Sequence, residues 1–137
     1  MADKVALVIG AGESTGGAIA RRFAREGYVA CVTRRSADKL APLVEQIERA
    51  GGKARAYGSD ARKEEQVVEL VQSIERDVGP IEVCVFNVGG NVRFPIRELT
   101  ARVYTKVWEM AALAGFLAGR EAAKVMVPRG RGTILFT

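Results

Sequence analysis

The sequence predicts an α/β fold in which helices cover both faces of an open, doubly wound parallel sheet of about five strands. Two observations lead to this fold class. Five short apolar segments alternate with four segments of helical periodicity along the 137 residues, and a glycine-rich turn joins the first apolar segment to the first helix. Because strands joined by helices pair in parallel through right-handed crossovers, this alternation favours one sheet with helices on both sides.

Strands are predicted where β-branched, aromatic and other apolar residues form short runs. The five runs are Val5–Ile9, Tyr28–Thr33, Ala54–Tyr57, Ile81–Phe86 and Thr133–Phe136. The runs are nearly continuous in apolar residues, whereas a strand with one solvated face alternates apolar and polar residues. We therefore expect the strands to be covered on both faces.

Helices are predicted for the four segments between these strands. They are Thr15–Glu26, Ala37–Ala50, Lys63–Val78 and Ala101–Met126. In the second segment, Leu40, Leu43, Val44 and Ile47 have the i, i+3, i+4, i+7 spacing that places one apolar face against a sheet. A glycine, a helix stop signal, directly follows each of the first three segments. The expected architecture is thus Rossmann-like, and the chain length suits a single domain over residues 1–137.

The composition is that of a globular chain, with 48% hydrophobic and 27% charged residues. No run approaches the roughly 20 apolar residues that a membrane-spanning helix needs, so no membrane partner is expected. The N-terminal segment MADKVALVIG carries two early charges and too short an apolar run for a secretory signal peptide. The expected location is therefore the cytoplasm.

The residue inventory restricts the chemistry. Histidine is absent from the sequence, which excludes a Ser-His-Asp or Cys-His triad and every histidine-based metal site. Cys31 and Cys84 lie far apart inside apolar runs, so we expect reduced thiols in the core rather than a metal or redox pair. No metal site is predicted, and any general acid or base must be another residue type.

The net charge of +5 and the pI near 9.6 permit an anionic partner. A nucleic acid and a phosphorylated small molecule are both compatible with this charge. No basic motif interleaved with aromatic residues is present, and Arg21, Arg22 and Arg25 have the spacing of a solvated helix face. A nucleic acid is therefore the less favoured partner.

The turn after the first predicted strand carries the glycines Gly10, Gly12 and Gly16. Residues without a Cβ allow backbone N–H groups and the positive end of a helix to approach a pyrophosphate closely. The strict dinucleotide fingerprint has a glycine where Thr15 stands, and Ala18 stands where a P-loop needs lysine. The turn predicts dinucleotide binding, and its alternative is a turn that only packs the helix on the strand.

The end of the second predicted strand bears on the choice of cofactor. An acidic residue there would bind the ribose 2′-hydroxyl of NAD, whereas an arginine suits the 2′-phosphate of NADP. The residues are Arg34 and Arg35, with no carboxylate before Asp38. Their alternative role is solvation of a surface loop. Because a guanidinium forms charge-assisted bonds to phosphate, we expect NADP as cofactor in preference to NAD.

Together these residues resemble the short-chain dehydrogenase/reductase family, in order along the whole chain. Gly10, Gly12 and Gly16 are similar to the glycines of that family's TGxxxGxG turn, although Ile9 replaces its threonine and Ser14 stands where its middle glycine is usual. Asp60, followed by Ala61, resembles the acidic residue after strand three that contacts the adenine in that family. Asn87-Val88-Gly89 resembles the family's NAG element after strand four. Residues 107–123 resemble its long fourth helix, and residues 130–136 resemble the lead into strand five.

The resemblance implies a cofactor site made from all these elements. The expected cofactor-binding residues are Gly10, Gly12, Ser14, Thr15, Gly16, Arg34, Arg35, Asp60, Ala61, Asn87 and Gly89. It also implies an oxidoreductase that moves a hydride between NADP(H) and a carbonyl or alcohol. In the family, the fourth helix contributes to a dimer interface, and Ala112, Leu113, Phe116 and Leu117 offer an apolar stripe for either that interface or the core. For any single residue of the stripe, the core is the favoured alternative. A homo-oligomer is expected.

Two departures from the family concern catalysis. Ala111 occupies the position that matches the family's catalytic asparagine, and the family's serine and Tyr-x-x-x-Lys pair cannot be assigned in this sequence. Tyr104 has no lysine four residues on. We assign no catalytic residue and expect the chain alone, which stops after the fifth predicted strand, to be inactive. It is interpreted as the NADP-binding portion of an oxidoreductase, and the alternative is a non-catalytic nucleotide-binding or scaffold module.

Overall fold

The computed structural model describes residues 3–137. Five strands, β1 to β5, comprise Val5–Ile9, Val29–Arg34, Lys53–Gly58, Ile81–Phe86 and Thr133–Phe136. Five α-helices, α1 to α5, comprise Thr15–Arg25, Ala41–Arg49, Glu64–Asp77, Ala101–Trp108 and Ala114–Met126. A 3₁₀ turn, Ala37–Leu40, precedes α2, and a π-helical turn, Glu109–Leu113, joins α4 to α5.

The strands form a five-stranded parallel sheet in the order β3-β2-β1-β4-β5. The strand order reverses between β1 and β4, which is the topological switch point where ligands bind in folds of this kind. The predicted fold class is therefore confirmed. That residues 1–137 form a single domain stays a prediction, and residues 1 and 2, with the start of the N-terminal segment, lie outside the described residues.

The predicted strand bounds hold for β1, β4 and β5, and the other two shift by one residue at each end. β2 begins at Val29 because the backbone N–H of Tyr28 donates to the carbonyl oxygen of Phe23 and so belongs to the end of α1. The ring of Tyr28 packs edge-on against that of Phe23, with centroids 5.3 Å apart. Tyr28 is half-buried.

The observed helices differ from the predicted ones in their bounds and in their continuity. Helix α3 is one residue shorter at each end than predicted, whereas the predicted Ala101–Met126 helix is interrupted by the π-helical turn. The second predicted helix opens with the 3₁₀ turn because Pro42 stands in the first turn of α2, where a missing backbone N–H costs nothing. A π-helical turn often lies near a functional site, and this one places Met110 against Gly90.

The core lies on both faces of the sheet, as the alternation along β1 shows. Leu7 packs in a cluster with residues of α3 and α5, including Ile74 and Ala118. Its neighbour Val8 packs on the opposite face in a cluster with residues of α1 and α2, including Ala20. All five residues of β1 are buried, so the expected two-sided coverage is confirmed for this central strand.

The two sheet edges depart from that expectation. In β3, Lys53 and Arg55 are exposed, and in β5, Leu135 and Phe136 are 46% and 61% exposed. An edge strand has a neighbour on one side only, so the helices of the described residues cover it less completely. Charged residues on an edge such as β3 also discourage pairing with another chain.

The two cysteines are free thiols in the core, as predicted. Burial raises the pKa of both Cys31 and Cys84 to about 12. Since the thiolate is the reactive form, both thiols are inert at neutral pH.

Among residues 3–137, none of the helices has the length and hydropathy that a membrane-spanning segment needs.

Candidate functional site

A cavity of about 730 Å³ opens at the carboxyl ends of β1 and β4, at the switch point of the sheet. Its walls come from the glycine-rich turn after β1, the end of β2, the segment after β3 and the segment after β4. The parallel sheet brings these four segments together because every strand ends at the same edge. Met110 of the π-helical turn closes one side.

The glycine-rich turn needs glycine where two stretches of main chain approach closely. Gly10 has a φ of +89°, and a side chain on it would collide with the carbonyl oxygen of Asn87. A side chain on Gly16 would collide with the carbonyl oxygen of Gly10. Both glycines are therefore structurally required, because the first turn of α1 packs directly against the end of β1.

The N-terminus of α1 faces the cavity with its first backbone N–H groups available. The Ser14 side chain makes no capping hydrogen bond, and no acidic residue stands in the first turn of α1. The first N–H groups of a helix have no partner within the helix and carry its positive dipole end. Such an end is suited to a phosphate group. Glu13, which is exposed, lines the cavity just before this end.

The two arginines at the end of β2 line the cavity beside this turn. Arg34 Nη1 lies 3.8 Å from the point that a Cβ on Gly12 would occupy. The Arg34 guanidinium therefore lies over the glycine-rich turn. Arg35 is exposed, and its charge contributes to the electrostatic surroundings of Asp60.

Asp60 follows β3 and is held by Arg62. Its Oδ1 accepts hydrogen bonds from the backbone N–H and from Nε of Arg62, both at 3.0 Å, and its Oδ2 accepts one from Nη2 at 2.9 Å. The Arg62 hydrogen bonds lower the pKa of Asp60 to about 2, although partial burial of the carboxyl acts in the opposite direction. Asp60 is therefore ionised at neutral pH.

Asn87 connects three strand ends. Its Nδ2 donates a 3.0 Å hydrogen bond to the carbonyl oxygen of Gly10. Its Oδ1 accepts a 2.7 Å hydrogen bond from the hydroxyl of Thr137, whose backbone N–H donates to the carbonyl oxygen of Phe86. Both ends of the Asn87 amide are thus used to hold the cavity wall. Gly89, beyond it, has open space around its Cα.

All eleven residues predicted to bind a cofactor line this one cavity. The structure thus brings the whole predicted set together, and their contact with a cofactor stays a prediction. The sequence interpretation missed Ser59, Arg62 and Met110, which also line it. Ser59 and Arg62 flank Asp60 and could have been included by adjacency, whereas Met110 comes from a distant helix and has no local signal.

The tyrosines and Ala111 bear on whether the cavity holds a proton donor. No tyrosine in residues 3–137 lines it. Tyr104 is 61% exposed, and burial is the main cause that raises the pKa of the half-buried Tyr57. Ala111 in the π-helical turn has no polar atom in its side chain. Neither Tyr57, Tyr104 nor Ala111 therefore places a proton donor in the cavity.

Three comparisons place the chain among known proteins. A family model described as short chain dehydrogenase matches residues 4–137. Gluconate 5-dehydrogenase of Gluconobacter oxydans is 33% identical over 130 residues, which cover 95% of this chain and 51% of that protein. The chain thus spans about half the length of this curated relative.

Solved structures agree with the fold. A short-chain dehydrogenase from Rhodopseudomonas palustris is 48% identical with a TM-score of 0.90, over 97% of this chain and 62% of that one. A variant of actinorhodin polyketide ketoreductase, crystallised with NADPH, is 30% identical with a TM-score of 0.93, over 99% of this chain and 54% of that one. The family match covers nearly all of the sequence, and this chain belongs to the short-chain dehydrogenase family.

Proposed function

We propose that the cavity binds NADP, and that the chain is the cofactor-binding portion of an oxidoreductase acting on a carbonyl or alcohol. The observation that carries this proposal is the position of Arg34 and Arg35, which line the same cavity as the glycine-rich turn. No carboxylate stands between β2 and Asp38. A positively charged end of β2 favours a 2′-phosphate over a free 2′-hydroxyl.

The residues present fit a dinucleotide. The close main-chain approach at Gly10 and Gly16 brings the backbone N–H groups at the N-terminus of α1 to the cavity, as binding of a pyrophosphate requires. Arg34 then lies over the turn, and Asp60 lies beyond it next to the end of β3. In the proposed arrangement, Arg34 and Arg35 contact the 2′-phosphate, while Asp60 and Ala61 contact the adenine.

When bound, NADP would supply or accept a hydride. The chain's own residues hold the cofactor and shape the cavity around it, with Asn87 fixing the wall after β4. The actinorhodin ketoreductase neighbour was crystallised with NADPH, which supports the same cofactor here. The Gluconobacter relative is named as a dehydrogenase of gluconate, and this supports an oxidoreductase reaction here.

A second candidate is a nucleotide-binding module without catalysis. It is favoured by Ala111, which offers no polar side chain, and by the lack of a cavity-lining tyrosine in the described residues. Reduction of a carbonyl requires a proton donor within hydrogen-bond reach of the developing alkoxide. Both candidates expect this chain to bind NADP without turnover, so NADPH consumption with small ketones by the chain itself would exclude the non-catalytic module.

We also propose that the chain self-associates through α4 and α5. Tyr104, Trp108 and Phe116 are 61%, 48% and 58% exposed, and large exposed apolar side chains on neighbouring turns are typical of an interface. A mass of two chains or more in light scattering is expected. A monomer mass across a wide concentration range would contradict this.

Calorimetric titration with NADP and NAD tests the cofactor proposal. We expect the wild-type chain to bind NADP more tightly than NAD, and Arg34→Ala or Arg35→Ala to weaken NADP selectively. The loss expected for one charge-assisted phosphate contact is about tenfold. Arg25→Ala is the matched control, since Arg25 is an exposed arginine at the far end of α1. Equal affinity for both nucleotides in all variants would overturn the proposal.

A further inference from the structure

Arg62 forms more hydrogen bonds to the Asp60 carboxylate than the local turn requires. The backbone N–H of Arg62 alone would complete the turn that precedes α3, since it donates to Asp60 Oδ1. The guanidinium adds two further bonds, one to each carboxylate oxygen. The backbone of Asp60 is held separately, because its N–H donates a 2.7 Å hydrogen bond to Oε1 of Gln66.

The number of free acceptor positions on Asp60 follows from these bonds. An ionised carboxylate has about four lone-pair positions, two on each oxygen. Arg62 takes both positions on Oδ1, through its backbone N–H and Nε, and one on Oδ2, through Nη2. One acceptor position on Oδ2 is left. The side chain of Asp60 is mostly buried, at 14% exposure, and it lines the cavity.

Asp60 lies just after the end of β3, and the pairing of β3 with β2 indicates which part of a bound dinucleotide would lie next to it. β3 pairs with β2 so that Gly58 lies opposite Arg34, and the backbone N–H of Ser59 donates a 2.8 Å hydrogen bond to the carbonyl oxygen of Arg34. A base attached to a ribose whose 2′-phosphate contacts Arg34 or Arg35 would therefore lie beside Asp60.

We propose that Arg62 is a positioning residue that fixes Asp60 as an acceptor for a single N–H donor, and so selects a 6-aminopurine over a 6-oxopurine dinucleotide. This inference rests on the proposed NADP binding. An amino group at the purine 6-position fills the last acceptor position on Oδ2. A carbonyl oxygen at the same position would place two acceptors against each other, without a hydrogen between them.

Arg62 contributes in two ways. Its planar guanidinium holds both carboxylate oxygens, so the carboxylate cannot rotate to present a different edge. Its hydrogen bonds also occupy three of the four acceptor positions of the carboxylate, so that one position remains for a further donor. Without the guanidinium, the carboxylate is free to turn, and it no longer opposes a 6-oxo group in one fixed direction.

The test compares the affinities of NADP and nicotinamide hypoxanthine dinucleotide phosphate, which carries a 6-oxo group, by calorimetry on the full 137-residue chain. We expect the wild-type chain to prefer NADP by roughly tenfold, as for one hydrogen bond to a charged group. In Arg62→Gln the ratio of the affinities for NADP and the 6-oxo analogue should fall below about threefold. A residue that only supports the fold would weaken both nucleotides equally and leave the ratio unchanged.

Lys63→Gln is the matched control, because it removes an equal charge from the adjacent exposed residue. The ratio of its affinities for NADP and the 6-oxo analogue should equal that of the wild type. Arg62→Lys provides a second variant if Arg62→Gln does not fold. Its ammonium group lacks the planar fork of a guanidinium and should give an intermediate ratio.

The outcomes separate the two proposals. If the wild-type chain does not bind NADP, the proposed function fails. If it binds NADP and either shows no preference between the nucleotides or keeps its preference in both Arg62 variants, the role of Arg62 is overturned while NADP binding stands.

Discussion

The side chain of Asn87 donates a 3.0 Å hydrogen bond from Nδ2 to the carbonyl oxygen of Gly10, across 77 residues of sequence. This bond joins the end of β4 to the start of the glycine-rich turn after β1. The same carbonyl oxygen lies where a side chain on Gly16 would stand. One amide thus helps to hold the strand, the turn and the first turn of α1 in register.

Replacement of Asn87 should therefore destabilise the chain. Asn87→Ala leaves the Gly10 carbonyl oxygen without this donor and also removes the acceptor for the Thr137 hydroxyl. The expected loss is about 1–3 kcal/mol in the free energy of unfolding, measured by denaturant titration. Asn91→Ala, at an exposed position of the following segment, should change it little. Equal losses in the free energy of unfolding of the two variants would contradict a stabilising role of the Asn87 hydrogen bonds.

A side chain at Gly10 should be poorly tolerated for two separate reasons. Its φ of +89° is strained for any other residue, and a Cβ would collide with the carbonyl oxygen of Asn87. Gly10→Ala is expected to cost at least about 2 kcal/mol of stability. Gly89→Ala is the control, because Gly89 lines the same cavity but has open space around it. Thermal unfolding of both variants checks this, and a Gly10→Ala chain as stable as the wild type would contradict the close packing.

Removal of the Ser59 hydroxyl should not destabilise the chain. Ser59 is 7% exposed, and its Oγ is buried with no hydrogen-bond partner among residues 3–137. Since a buried hydroxyl without a partner is unfavourable, Ser59→Ala should leave the free energy of unfolding unchanged or raise it by about 1 kcal/mol. Ser73→Ala is the comparison, because that hydroxyl donates to the carbonyl oxygen of Glu69 at 2.8 Å. A marked loss of stability in Ser59→Ala would indicate a partner for its hydroxyl.

The Asp60 carboxylate should give a pH-dependent contribution to stability. Its pKa is about 2 in the folded chain, against an ordinary value of 3.8. The ionised form therefore stabilises the fold above pH 3.8, and this contribution is lost as the pH falls through about 2. Wild type and Arg62→Gln should differ by about 2 kcal/mol near pH 6 and by roughly half of that at pH 3.

Chemical unfolding at several pH values measures this difference. Arg76→Gln serves as the control, because Arg76 pairs with Asp77 in an exposed ion pair, and such pairs contribute little to stability. A wild-type advantage over Arg62→Gln that does not change between pH 6 and pH 3 would contradict the assigned coupling between Arg62 and Asp60.

Most of the fold was predictable because it depends on local patterns. The apolar runs of β1 and β4 gave their bounds directly, and glycine stops marked the ends of helices. The π-helical turn Glu109–Leu113 was not predictable, because the segment EMAAL consists of residues that favour an ordinary α-helix. Its wider turn depends on packing in three dimensions, and so does the position of Met110 in the cavity.

The cavity was predictable to the extent that it lies at strand ends. Gly10, Asp60 and Asn87 follow strands, and Arg34 is the last residue of one. The carboxyl ends of these strands meet at one edge of a parallel sheet. The bonds between side chains were not predictable. Nothing in the spacing of Arg62 distinguishes a guanidinium bound to Asp60 from one in solvent, because that depends on the rotamers of both residues.

The measurement that tests the central claim most directly is an NMR titration of ¹⁵N-labelled chain with NADP. We predict that the largest amide shifts fall on Gly12, Ser14, Gly16 and Ala61, with shifts at Arg34 that are smaller for NAD. Amides on the opposite edge of the sheet, such as that of Glu82 at the amino end of β4, should not respond. No shift with either nucleotide, or shifts confined to residues outside the cavity, would contradict the assignment of this cavity as a cofactor site.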